Sequence, residues 1–320
     1  MTWFAIWSGR SPERAAVPPA AAPTAAIPDL QRREAEAWAA RLPELRTQAL
    51  RVAATVAMGA HGRRRAGQGD SFWQFRPYRA GDPLRRIDWR RSARGDRLYL
   101  REREWESAES FWFWLDRSPS MGYRSHVDWP AKIDRATVLA VATAALLAGS
   151  GERIGVLTAA GPVAAGAGTH ALDRFLEHLA VADTERSVPP GVILPRFSSV
   201  LAFGDTFAPL PDWDRRIAGL SAPGVRGQLV QVVDPGEVRF SYRGRLRIEG
   251  LEGEAPELLR RAEDLATAYG ERFTSHGEGL AAICERRGWR FRRHATDEPP
   301  LRVLLSLYRA LNLDRRVAHA

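Results

Sequence analysis

Cysteine is almost missing from this chain: Cys284 is the only one in 320 residues. A lone thiol excludes an internal disulfide framework and a cysteine-rich zinc site, and it fits a reducing, cytoplasmic setting. No apolar run approaches the roughly 18 to 20 residues needed to cross a bilayer. The opening MTWFAIWSGR has a short apolar run with no basic region before it, so no signal peptide is expected. Gly-x-x-x-x-Gly-Lys-[Ser/Thr] and Gly-x-Ser-x-Gly are both absent, which removes a P-loop nucleotide site and a nucleophile elbow. The seven histidines form no His-x-x-x-His pair, and His170 with His178 read as helix-surface residues. Lysine is as scarce as cysteine. All but one of the 47 basic residues are arginine, the exception being Lys132, and this reads as compositional bias. A net charge of +9 raises the question of nucleic acid, but the arginines are spread along the whole chain. Phosphate binding favours a clustered stripe with interleaved aromatics, and only Arg85, Arg86, Arg90, Arg91 and Arg94 approach one, so nucleic acid is a minor alternative.

What is present centres on residues 110–120, SFWFWLDRSPS. Unbroken apolar residues at 111–115 exclude a one-sided strand and predict a central strand buried on both faces, as in parallel α/β sheets. Its carboxyl end carries Asp116, Ser118 and Ser120, at the place where open α/β sheets bind ligands. These are hard oxygen donors suited to Mg²⁺ or Mn²⁺. Taken alone, the same five residues also fit an ordinary turn that caps the next helix.

Along the chain, residues 1–28 are an Ala/Pro-rich tail, and 29–108 form an N-terminal module. That module begins with amphipathic helices up to about residue 60, interrupted at Pro43. It then turns aromatic and alternating, ending in LYLREREWE, which predicts half-buried antiparallel strands. An α/β domain over 109–313 follows, with a C-terminal tail at 314–320. Within it the pattern predicts a helix over 131–148, a strand over 153–159, a glycine/alanine turn, and a helix over 170–182. Next come a strand over 200–203 ending at Asp205, a helix over 213–220, and a strand over 228–233 ending at Asp234. A hairpin over 240–248, a long helical region over 255–287, a strand over 289–294 and a helix over 301–311 complete the series. Two buried strands ending in carboxylates are what a shared cation site needs. Asp234 fits a turn cap better than a further pole of that cleft.

Specific runs carry a resemblance. From His61 through RPYRAGDPLRRIDWRRSAR to LREREWE and LDRSPSM, the chain closely resembles the bacterial family called domain of unknown function 58. The likeness continues through AKIDRATVLAVATAALLAGSGERIGVL, SSVLAFGDTF, GQLVQVVDPGEVRFSYRGRLRIEG and GWRFRRHATDEPPLRVLLSLYRAL, covering about 59–313. Members are von Willebrand factor A-like, which implies a Rossmann-like, mostly parallel sheet flanked by helices. The fold carries a metal-ion-dependent adhesion site on three loops. By resemblance Asp116, Ser118 and Ser120 fill the first, Thr184 (with Thr169 the alternative) the second, and Asp205 the third, around Mg²⁺ or Mn²⁺. The resemblance also implies a MoxR-type AAA+ ATPase as partner in the assembly or maturation of an unidentified client protein.

Arg86, Asp88, Trp89 and Arg90 form a second candidate surface, since an exposed aromatic flanked by arginines suits an interface. The bland alternative pairs Asp88 with Arg86 or Arg90 and lays Trp89 over a sheet edge. The functional expectation is a non-enzymatic, cation-dependent interaction adaptor. A metal-assisted hydrolase is the first alternative, although no base stands near Ser118 or Ser120 in the sequence.

Overall fold

A computed structural model describes residues 26–61, 72–79, 82, 87–95, 97–103, 109–168, 170–181, 187–221, 224–248 and 257–318. Its contacts group residues up to 57 with those from 109 onward, and set 58–108 apart as a second unit. The helical stretch up to residue 57 thus falls in the larger unit.

In that larger unit, α1 (Ala26–His61) runs through Pro43 without a break. A proline inside a helix costs about 3 kcal/mol. Trp38, Leu42, Leu45, Ala49, Ala53 and Val56 are all buried, at spacings of three and four residues, and bind the helix to the main core on both sides of the proline. Polar ties reinforce this: Trp38 Nε1 donates to Thr137 Oγ1 at 3.2 Å, and Arg46 pairs with Asp173 at 2.6 Å.

The six-stranded sheet has the order β10-β7-β6-β3-β4-β5. Its strands are β3 (Ser110–Leu115), β4 (Arg153–Thr158), β5 (Gly161–Gly166), β6 (Ser199–Gly204), β7 (Arg226–Val233) and β10 (Trp289–Ala295). All neighbours are parallel except β5, which closes the edge antiparallel to β4. The fold is Rossmann-like and mostly parallel, flanked by helices. Phe111, Phe113 and Leu115 face one core, shared with α1, α3 (Lys132–Gly149), α4 (Ala171–Val181) and α8 (Pro300–Ala318). Trp114 faces the other, against Trp213 of α5 (Leu210–Ser221) and Leu280 of α7 (Ala266–Arg286). Burial on both sides is why β3 carries no polar alternation. Ala136, Ala140 and Ala144 let α3 lie close to the sheet.

Several local expectations change. Residues 161–166 form strand β5, because Gly161, at φ +131°, permits the tight reversal after Thr158. No hairpin fills 240–248. A short helix α6 (Pro235–Arg239) precedes β8 (Leu246–Ile248), which pairs antiparallel with β9 (Glu257–Leu259). The helical region expected over 255–287 therefore begins only at α7, after β9 and a 3-10 turn at Ala262–Leu265. Helix α8 continues to Ala318, through the expected tail. Strands of three residues are too short to show a period, which is why the pattern missed them.

The smaller unit is an antiparallel ribbon of β1 (Phe72–Pro77) and β2 (Tyr99–Arg103), with the single turn α2 (Trp89–Ser92) between them. The β-rich character expected of this stretch is present. Among the described residues no helix is long and apolar enough to cross a membrane.

Candidate functional site

Strand order reverses between β3 and β6: β4 and β5 lie on one side of β3, β6 and β7 on the other. A crevice at the carboxyl ends of strands opens at such a switch point. Asp116 and Asp205 end the two strands that flank it. The Asp116 backbone N–H still pairs with Phe203 O, at 2.8 Å, so its side chain is held at the strand end. Its Oδ1 accepts the Ser118 N–H at 2.9 Å, an Asx turn that starts the 3-10 turn Pro119–Gly122. That turn brings both serine hydroxyls inward. Ser118 Oγ and Ser120 Oγ are 3.1 Å apart, and Ser120 Oγ donates to Asp205 Oδ2 at 2.6 Å. Asp116, Ser118, Ser120 and Asp205 are all buried. Gly204 allows this closeness, since a Cβ there would meet Asp116 Cβ at 2.8 Å and Oδ2 at 2.9 Å.

A cation already stands in this cluster. Lys132, at the start of α3, is 0 % exposed. Its Nζ lies 3.1 Å from Asp205 Oδ2 and 2.5 Å from Glu237 Oε1. Burial by itself would lower the pKa of this ammonium, but the charges of Asp205 and Glu237 prevail and hold it above its usual range. The ring of Phe207 lies 5.1 Å from Nζ and that of Tyr123 5.9 Å, both within cation–π range.

Glu237 is placed by α6. Asp234 caps that helix, accepting the Gly236 N–H at 2.7 Å, while Glu237 Oε2 accepts the Asp234 N–H at 2.9 Å in a capping box. The capping role expected of Asp234 is met. It has a second task, because Ser125 N–H donates to Asp234 Oδ2 at 3.0 Å and Ser125 Oγ to its other oxygen. The loop 123–130 is thus tied to the end of β7. Three strand ends, β3, β6 and β7, share one polar network.

Of the expected residues, Asp116, Ser118, Ser120 and Asp205 come together. Thr184 and Thr169 lie outside the described residues, as does Arg86. Asp88, Trp89 and Arg90 belong to the ribbon unit. There Asp88 caps α2, accepting the Arg91 N–H at 2.8 Å, instead of being set only by a neighbouring arginine. Trp89 is 63 % exposed.

Lys132, Glu237 and Thr206 were missed. Lys132 stands where a basic residue opposes the helix dipole, an anomaly readable once the helix start is known. Glu237 follows Asp234-Pro235 at capping-box spacing, a signal that was available. Thr206 has φ +61° and a buried Oγ1 with no hydrogen-bond partner among the described residues, and nothing in the sequence announces that strain.

Chemically, the oxygens of Asp116, Ser118 and Ser120 are donors of the kind that suit a hard cation, whereas Asp205 Oδ2 already accepts from Ser120 and Lys132. Among the described residues no group of three or more His, Cys, Asp or Glu side chains is arranged to hold a metal ion.

Residues 74–279 match the model of the family described as protein of unknown function DUF58. The chain belongs to this family. No curated protein matches it. The DUF58 match begins within β1 and ends within α7, so it spans the ribbon residues Asp88, Trp89 and Arg90 and every member of the strand-end network.

Proposed function

We propose that this DUF58 protein is a non-enzymatic protein-interaction adaptor that works with a MoxR-type AAA+ ATPase in the assembly or maturation of a client protein. The observation that carries the proposal is the convergence of Asp116, Ser118, Ser120 and Asp205 at the β3/β6 switch point, with Ser120 Oγ 2.6 Å from Asp205 Oδ2. These are positions of the adhesion site in the von Willebrand A pattern that the sequence resembles. Beside them the loop 123–130 offers Arg124, His126 and Val127 to solvent. In the ribbon unit, Trp89 and Arg90 are exposed and supply a second contact surface, to which Asp88 contributes its cap.

Hydrolysis is supported less well. Ser118 and Ser120 are buried, and Ser120 donates to a carboxylate already paired with an ammonium, which makes that carboxylate a poor base for the hydroxyl.

In the von Willebrand A pattern Mg²⁺ or Mn²⁺ completes the site and receives a partner's carboxylate. The oxygens of Asp116, Ser118 and Ser120 suit such an ion. Asp205 does not, because its Oδ2 accepts from both Ser120 and Lys132, and an ammonium at 3.1 Å repels a divalent cation on the same oxygen. The residues as they stand therefore do not fit a resident divalent ion.

The test is the affinity of the full chain for a purified MoxR-type AAA+ ATPase, measured by biolayer interferometry. Asp116→Ala, assayed on protein that circular dichroism shows to be folded, is expected to weaken binding by about tenfold or more, roughly 1.4 kcal/mol. Wild-type protein that fails to bind, or a phosphoesterase activity abolished by the same substitution, contradicts the adaptor proposal.

A further inference from the structure

We infer that the Lys132 ammonium is the built-in cation of the strand-end site, so that Asp205 is already paired from within the chain and the site does not take up Mg²⁺ or Mn²⁺. This goes beyond the adaptor proposal and does not depend on any partner.

Three observations carry it. The first is geometric: Nζ stands between Asp205 Oδ2 at 3.1 Å and Glu237 Oε1 at 2.5 Å, with all three side chains fully buried. One positive charge between two carboxylates is what a cation in this crevice would otherwise supply, and unpaired buried carboxylates are strongly disfavoured. The second is position. Lys132 lies in the first turn of α3, where the helix dipole disfavours a cation, so the carboxylates and not the helix account for a basic residue there. The third is composition. A chain that uses arginine for every other basic residue has its single lysine at this buried point. An ammonium is a compact point charge with three rotatable donors, whereas the planar guanidinium fork is larger and fixed in shape.

Because Lys132 is the only lysine of the 320 residues, this chain grown with isotope-labelled lysine carries one labelled side-chain ammonium, which NMR reads directly. In wild-type protein the expected result is a single ammonium resonance, protected from solvent exchange, that keeps its position in millimolar Mg²⁺ and its intensity with stoichiometric Mn²⁺. A shift on adding Mg²⁺, or loss of the resonance to paramagnetic broadening by Mn²⁺, overturns the inference. Lys132→Met provides a second arm: Mg²⁺ is expected to raise its thermal midpoint by a few degrees while leaving that of wild type unmoved. Equal stabilisation of both proteins by Mg²⁺ also overturns it. Should the variant fail to fold, the wild-type resonance decides alone. Neither readout involves an ATPase, so failure here and failure of the adaptor proposal remain separate results.

Discussion

The strand-end network and the ribbon turn are both rich in charge, yet they use it in opposite ways. In the α/β unit, Asp205, Lys132 and Glu237 are fully buried and bound to one another. Around α2 the aspartate caps a helix while Trp89 and Arg90 face solvent. A buried charge cannot be left unpaired, so each member of the first group holds the others in place. An exposed charge is solvated and costs the fold little. Substitutions in the network should therefore damage stability first, and those in the ribbon should reach binding alone.

The largest expected effect follows from removing the ammonium. Lys132→Met leaves Asp205 and Glu237 facing each other without a counter-charge, and a loss of about 3–5 kcal/mol in urea unfolding is expected. A loss below about 1 kcal/mol would erase the contrast between the two regions.

Acid is the next probe. Burial, with Arg135 nearby, lowers the pKa of His294 from 6.5 to about 4. The unfolded chain then binds a proton that the folded chain refuses. Stability is complete above about pH 6.5 and declines as pH falls towards 4, by about 3 kcal/mol in total. His294→Gln should flatten that decline without abolishing it, because burial also lowers the pKa of His276. Urea midpoints across this pH range measure both. An unchanged slope would remove the buried histidine from the account.

The smallest effect belongs to the ribbon. Trp89→Ala should alter stability by no more than about 0.5 kcal/mol, while lowering affinity for the AAA+ ATPase proposed as partner. A large loss of stability would mean that Trp89 is structural, and the contrast with the network would blur.

The sequence made the sheet legible because β3 and β6 are continuous apolar runs, each ending at an acidic residue. That pattern sufficed to bring Asp116, Ser118, Ser120 and Asp205 together. It could not reveal their counter-ion. Lys132 reaches Asp205 across 73 positions and Glu237 across 105, and no local period encodes contacts of that range. In the sequence this lysine reads as a trace of composition; in the fold it is the positive charge at the centre of the network. Pro43 misled for a related reason. Its local helix-breaking tendency was real, but the buried stripe from Trp38 to Val56 outweighs it.

The most direct test of that central charge is a double-mutant cycle by urea unfolding of wild type, Lys132→Met, Asp205→Asn and the double variant. If ammonium and carboxylate form one unit, the double variant should recover stability, with a coupling energy of about 2 kcal/mol or more. Losses that simply add, within about 0.5 kcal/mol, would show that the two groups act independently and would contradict the account.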